Sequence, residues 1–198
     1  MKYLKALAAT VAFVLVLLAV YAAHVRYGKV DVVLYSAVLD AALAAAIVGG
    51  GLFALKAFAE FSRFEKVQML CLWMLGGYAF AISVPTVIDR SLSFYLLEKI
   101  HQRGGGIHVD RLHHVVTQEY MVEHRLIDVR LTEQLQSGTI EVVEDCVRLT
   151  ERGRGLVGFS RFFRGNLLPR QRLLLGEYSD DLTDPFRNSV AEVSYRCG

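Results

Sequence analysis

The chain has 198 residues, 54% of them hydrophobic and 21% charged, with a formal net charge of +2. That apolar content excludes a disordered, collagen-like or coiled-coil protein, and so small a net charge gives no polyelectrolyte signal for nucleic acid. Three cysteines, Cys71, Cys146 and Cys197, are too few and too scattered to predict a disulfide framework or a zinc cluster.

Charge is unevenly spread. Residues 1–88 carry seven Lys/Arg and four Asp/Glu, whereas residues 89–198 carry fifteen and sixteen. The first part therefore reads as a membrane domain, with apolar runs at about 6–23, 32–55 and 67–88. Each run is long enough for a helix rising ~1.5 Å per residue to cross ~30 Å of hydrocarbon. In that solvent a helix satisfies every backbone amide within the segment. Lys2 and Lys5 before the first run, and small residues near Ala22-Ala23, also resemble a signal peptide. The run is longer than such peptides use, so an uncleaved anchor is expected.

Orientation is balanced under the positive-inside rule. An internal N-terminus puts Lys2, Lys5, Lys56, Arg63 and Lys66 in the cytoplasm; an external one puts Arg26, Lys29, Arg90, Lys99 and Arg103 there.

Three features stand out within the spans. Ala41, Ala45 and Gly49 recur four apart, as do Ala42, Ala46 and Gly50, which stacks small residues where another helix can approach closely. The third run offers Gly76 and Gly77 at mid-span and Pro85 near its end, where a kink is expected. Asp40 is the one acid inside a span. A charge at that depth is a functional-site hypothesis by default, with a base of another subunit, Tyr78 or Ser83 as candidate partners; alternatively the span begins near Ala37 and Asp40 is interfacial. Asp40, Ala45, Gly49 and Gly50 are thus the candidate intramembrane contacts.

From residue 89 the pattern changes to short elements. Ser91 predicts an N-cap for a helix ending at Gly104-Gly105-Gly106, and Asp110 predicts the cap of a second. A third runs to about Ser137 with Leu131 and Leu135 inward and Gly138 as its stop. Two β-type runs, Thr139–Val143 and Cys146–Leu149, join at Glu144-Asp145 as a hairpin. Thr150 caps a last helix from Glu151 to about Asn166. Residues 169–198 read as a polar tail, irregular after 177.

Three helices, a hairpin and a helix within residues 91–165 resemble a winged helix. Leu135-Gln-Ser-Gly-Thr-Ile140 looks like the end of a winged-helix third helix entering its strand, and Leu149-Thr-Glu-Arg-Gly-Arg-Gly-Leu156 is similar to the wing exit of MarR- and PadR-like regulators. The fold class expected is mainly α, three transmembrane helices followed by a small α+β winged-helix-like domain at 89–168. The resemblance implies DNA binding through the third helix, but charge opposes it. Residues 110–147 hold three arginines against eight acids, and the wing tip is Glu144-Asp145. Phosphate neutralisation supplies most non-specific DNA affinity, so nucleic acid is disfavoured and a protein partner is expected at Arg130, Glu133, Gln134, Glu144 and Asp145.

Residues 148–172 reverse the sign, with seven arginines against Glu151. Phenylalanines and leucines interleave them, so Arg161, Phe162, Phe163 and Arg164 are expected at a membrane surface, each base near anionic lipid contributing ~1 kcal/mol. An ordinary helix whose phenylalanines fill a core is the alternative.

Five of the six histidines lie between 101 and 124 without recognised ligand spacing, and Gly104-Gly105-Gly106 lacks a phosphate loop's Lys-Ser/Thr. No cofactor or metal is expected, and no catalysis by this chain alone. The reading is an integral membrane protein of bacterial inner-membrane type, an accessory or regulatory subunit of a larger complex. A membrane-anchored transcription regulator and a subunit of an enzyme or transporter handling a lipid-linked or polymeric substrate are the alternatives. The resemblance, and thiols read as unpaired, lean the C-terminal domain toward the cytoplasm.

Overall fold

The three apolar runs form three long helices in the computed structural model, which describes residues 1–187 and Cys197. They are α1 (Lys2–Tyr27), α2 (Val33–Ala54) and α3 (Arg63–Arg90), each long and apolar enough to cross a membrane. Helix α1 outruns its apolar stretch and stops only at Gly28, whose extended backbone lets its amide donate to the His24 carbonyl at 2.7 Å. A capping box starts α3: Ser62 Oγ accepts from the Glu65 amide, and the Glu65 carboxylate accepts from the Ser62 amide.

Two compact units divide the chain, Met1–Leu126 and Ile127–Gly198. In the first, α2 packs against both α1 and α3. Its buried residues are mostly small, Ala37, Ala41, Ala44, Ala45 and Gly49, with Asp40 and Leu52 the larger groups among them. A Cβ on Gly77 would sit 2.5 Å from that of Ala41, so α3 needs glycine there to approach α2. Phe13 and Trp73 stack at 5.4 Å, and the Trp73 indole donates to Thr10 Oγ1 at 3.1 Å. The expected kink at Pro85 takes the form of a π-helical turn, Ile82–Thr86. Thr86 Oγ1 donates to the Ala81 carbonyl at 2.8 Å, occupying an acceptor the proline cannot.

The same unit continues with α4 (Leu92–Gln102), capped by Ser91 and ended by Gly104 and Gly105 at φ +85° and +97°. Next comes α5, made of Val109–His114, the π-helical Val115–Tyr120 and Met121–Glu123. Asp110 does not cap it: His108 holds the cap position and Asp110 lies in the first turn, where its charge still suits the helix dipole. Tyr95, Val115 and Tyr120 form a small core with Leu92, Leu96, Ile107 and Leu126.

The second unit follows with α6 (Leu126–Gln136), then β1 (Ile140–Val143) and β2 (Cys146–Leu149), antiparallel in the register Val142↔Val147. Glu144 and Asp145 both take positive φ, 50° and 61°, as the primed turn of a two-residue hairpin demands. Leu131 is half-buried, but Leu135, expected inward, is 45% exposed. Helix α7 (Glu151–Asn166) is capped by Thr150, whose Oγ1 accepts from the Gly153 amide. The tail expected after it opens instead with a second hairpin, β3 (Arg172–Leu174) and β4 (Glu177–Ser179). The fold is thus mainly helical, with three long apolar helices and small two-stranded sheets.

Candidate functional site

Asp40 sits two turns into α2, 5% exposed, with Oδ1 2.8 Å from Nδ1 of His24 at the end of α1. Neither Tyr78, Ser83 nor another subunit is needed to explain that contact. The pairing exists because α1 continues past Ala23. Asp40 Oδ2 is buried without a hydrogen-bond partner. An acid with one oxygen satisfied and the other orphaned is an expensive arrangement in hydrocarbon.

The two small-residue rows part company. Ala45 and Gly49 lie buried against the bundle, and a Cβ on Gly49 would run into the Leu70 side chain. Gly50 meets nothing within 4 Å; with Ala42 and Ala46 it lines an open apolar groove that Ala45, Gly49, Leu70 and Met74 also border.

Outside the spans, a polar network links α4 to α5. Lys99, 6% exposed, reaches Glu123 at 2.7 Å and Glu119 at 3.0 Å. Tyr95 Oη donates to Glu123 at 2.7 Å, and Arg103 closes the set on Glu119 at 3.0 Å. The hydrogen bonds from Lys99 hold both carboxyls below the usual range, and those carboxylates raise the lysine above its own. Burial, then the bond to Glu123, pushes the Tyr95 hydroxyl up. His124 packs at 5.2 Å from the Tyr95 ring and 4.8 Å from that of Tyr120. Charges so fully matched build a brace; a reacting group needs one left poised. The i, i+4 spacing of Tyr95 and Lys99 was the available signal for this network, and charge counting alone passes over it.

The second unit presents the residues expected at a docking face. Arg130 pairs with Glu133 at 2.9 Å, one turn along α6. Gln134 turns back to bond Thr139, which holds the strand entry closed. Glu144 and Asp145 are exposed at the hairpin tip. Among the described residues no group of three or more His, Cys, Asp or Glu is placed to hold a metal ion.

Helix α7 keeps its apolar side chains in the open. Phe162 is 58% and Phe159 61% exposed, Phe163 is 39%, and of the whole helix only Gly153 is buried. A core-filling role for these phenylalanines is thereby overturned. Arg164 donates to the Leu182 carbonyl at 3.5 Å, and Arg161 is exposed.

Cys146 and Cys197 form a disulfide with Cα atoms 5.9 Å apart, and Cys71 is free. The expectation of unpaired thiols is overturned for two of the three. Fifty-one residues separate that pair, too far for sequence spacing to reveal it. No family model, curated protein or solved structure matches this chain.

Proposed function

We propose that the chain is a non-catalytic integral-membrane protein presenting a winged-helix-like protein-interaction module, an accessory or regulatory subunit of a larger membrane complex. The observation that carries the reading is the β1–β2 hairpin. Its cross-strand pair Val142 and Val147 is 50% and 48% exposed, beside the acidic tip Glu144-Asp145. An apolar pair flanked by charge is the composition of a docking edge, with specificity set by the charges. Support for the winged-helix likeness comes from the element order and the primed turn; the elements divide between the two compact units after Leu126.

A DNA-binding alternative has two physical objections. The acidic surface repels phosphate, and a disulfide persists in oxidising compartments, away from cytoplasmic DNA. The same disulfide supports an external C-terminal unit and an internal N-terminus.

A photo-crosslinking residue at Val142 in the full-length chain, in native membranes, tests the proposal. A discrete protein adduct that disappears on Glu144→Lys with Asp145→Lys is expected. An adduct pattern indifferent to that reversal, or a salt-dependent shift of duplex DNA by the purified protein, overturns it.

A further inference from the structure

Lys66 is a buried charge that the helix bundle leaves unmatched. It lies in the opening turn of α3, 8% exposed, with its ammonium over the Phe53 ring, 5.3 Å from the centroid. Among the described residues no carboxylate pairs with that ammonium and no side chain hydrogen-bonds it. The acids at this end of the bundle are taken: Glu65 pairs with Lys2 at 2.6 Å and Glu60 with Lys5 at 2.5 Å. Lys56, Arg63 and Lys66 are left over, so the α2–α3 end is basic once its ion pairs are counted. A cation buried at the edge of a bilayer is costly until an anion reaches it.

Phe53 also lines the open apolar groove between α2 and α3. Gly77 meets Ala41, Gly49 meets Leu70 and Phe53 meets Lys66, so the two helices run antiparallel. Lys66, Leu70 and Met74 recur four apart along α3, opposite Ala42, Ala46 and Gly50 on α2. The groove therefore leads from mid-span to the unmatched ammonium. From Ala42 to Phe53 it covers about 16 Å of helix at ~1.5 Å per residue, close to half of a ~30 Å hydrocarbon core. An apolar channel one leaflet deep with a cation at its mouth has the form of a phospholipid. A second copy of this chain would fill the apolar part, but its own α2–α3 end is equally basic and would leave Lys66 unmatched.

We propose that this groove binds one anionic phospholipid, its acyl chain along Ala42, Ala46 and Gly50 and its phosphate on Lys66, with Arg63 one turn earlier as a further contact. With an internal N-terminus the site lies in the cytoplasmic leaflet, where basic pockets between helices recognise anionic headgroups. The proposal requires α1–α3 to span a bilayer and is independent of what the β1–β2 hairpin binds.

The test places the full-length chain in nanodiscs with trace spin-labelled phosphatidylglycerol or phosphatidylcholine and reads the motionally restricted fraction. An excess of about one restricted phosphatidylglycerol per chain is expected. Lys66→Gln lowers that preference about fivefold, the equivalent of ~1 kcal/mol for one basic contact, and Lys66→Arg retains it. Gly50→Leu enters open space in the protein and abolishes the excess by filling the groove. A diazirine side chain at Met74, which borders the groove, yields a lipid adduct in native membranes. Equal restriction of the two lipids, an excess that survives either Lys66→Gln or Gly50→Leu, or a Met74 adduct with a second copy or another protein in place of lipid would overturn the proposal.

Discussion

Asp40 and His24 form the costliest pair in the membrane part, and their energetics can be separated by substitution. Removing His24 alone leaves both carboxylate oxygens without their hydrogen bond, at a cost of ~1–3 kcal/mol. Replacing both residues by leucine removes the pair and its desolvation together, which is often neutral or better. His24→Leu is therefore expected to lower detergent-phase thermal stability, and the double leucine variant to recover most of the loss. Additive losses would show that the contact carries no coupling. The Lys99 network makes a different prediction, about pH. Glu119 and Glu123 have lowered folded pKa values, so their contribution is complete above the ordinary carboxyl range and disappears as pH falls through it and below. Lys99, raised, contributes below its ordinary value, and that contribution is lost only on strong alkalinisation. Near-UV circular dichroism from the Tyr95–Tyr120 packing should thus weaken as pH falls through and below the ordinary carboxyl range. In Lys99→Met, Arg103 still holds Glu119 while Glu123 keeps the bond from Tyr95, so the acid transition should be shallower than in the parent; an unchanged acid transition in that variant would sink the assignment.

Helix packing in the membrane part depends on where each glycine lies. Gly77→Ala must push α3 from α2 at Ala41, an overpacking that costs ~1–3 kcal/mol. Gly50→Ala meets open space and should leave stability unchanged or slightly raised. Equal thermal shifts for the two in detergent would refute the close approach at Gly77. Gly49 and Gly50 looked alike in sequence, as members of neighbouring small-residue rows; only the rotation of α2 against its neighbours separates the packed row from the open one. Local chemistry was more legible. Ser91, Gly138, the Glu144-Asp145 turn and the Thr150 cap were readable because each satisfies a backbone requirement within a few residues. Thr150 also donates to the Gly138 carbonyl at 2.8 Å, and a side chain on Gly153 would strike the Thr139 carbonyl. The Leu-Thr-Glu-Arg-Gly segment thus encodes a tight exit from the hairpin into α7. Leu175 misled for the opposite reason: a leucine in a turn breaks the propensity rule, so Arg172–Ser179 read as tail. His24 was overlooked because it follows the apolar run, and its partner lies on another helix.

Orientation is the property of the whole molecule on which the protein's possible partners depend, and residue counting left it balanced. On the proposed reading, three spans place the start of α1 and the end of α3 on opposite sides of the membrane. The second unit carries the Cys146–Cys197 disulfide, whereas free Cys71 lies within α3. Reducing pools in the cytosol hold thiols open, and the extracytoplasmic side lets them close. On the proposed reading the N-terminus is internal, which agrees with the basic start at Lys2 and Lys5; these pair with Glu65 at 2.6 Å and Glu60 at 2.5 Å beside the α2–α3 loop. The hydrogen bond from Lys5 keeps the Glu60 carboxyl below its usual range, so that side of the bundle stays ion-paired at neutral pH. Cells quenched in acid and denatured with a polymer-tagged maleimide give the decisive count. One of the three cysteines should react before reduction and all three after it. An impermeant reductant added to intact cells with a permeabilised outer barrier should expose the remaining two. Closing a loop of this separation stabilises the second unit by on the order of 4 kcal/mol on the chain-entropy account. Cys197→Ser should therefore loosen the second unit, seen as faster proteolysis after Arg148 and Arg152, while leaving α1–α3 intact. Three reactive thiols in unreduced cells would return the C-terminal unit to the cytoplasm and reopen the case for DNA.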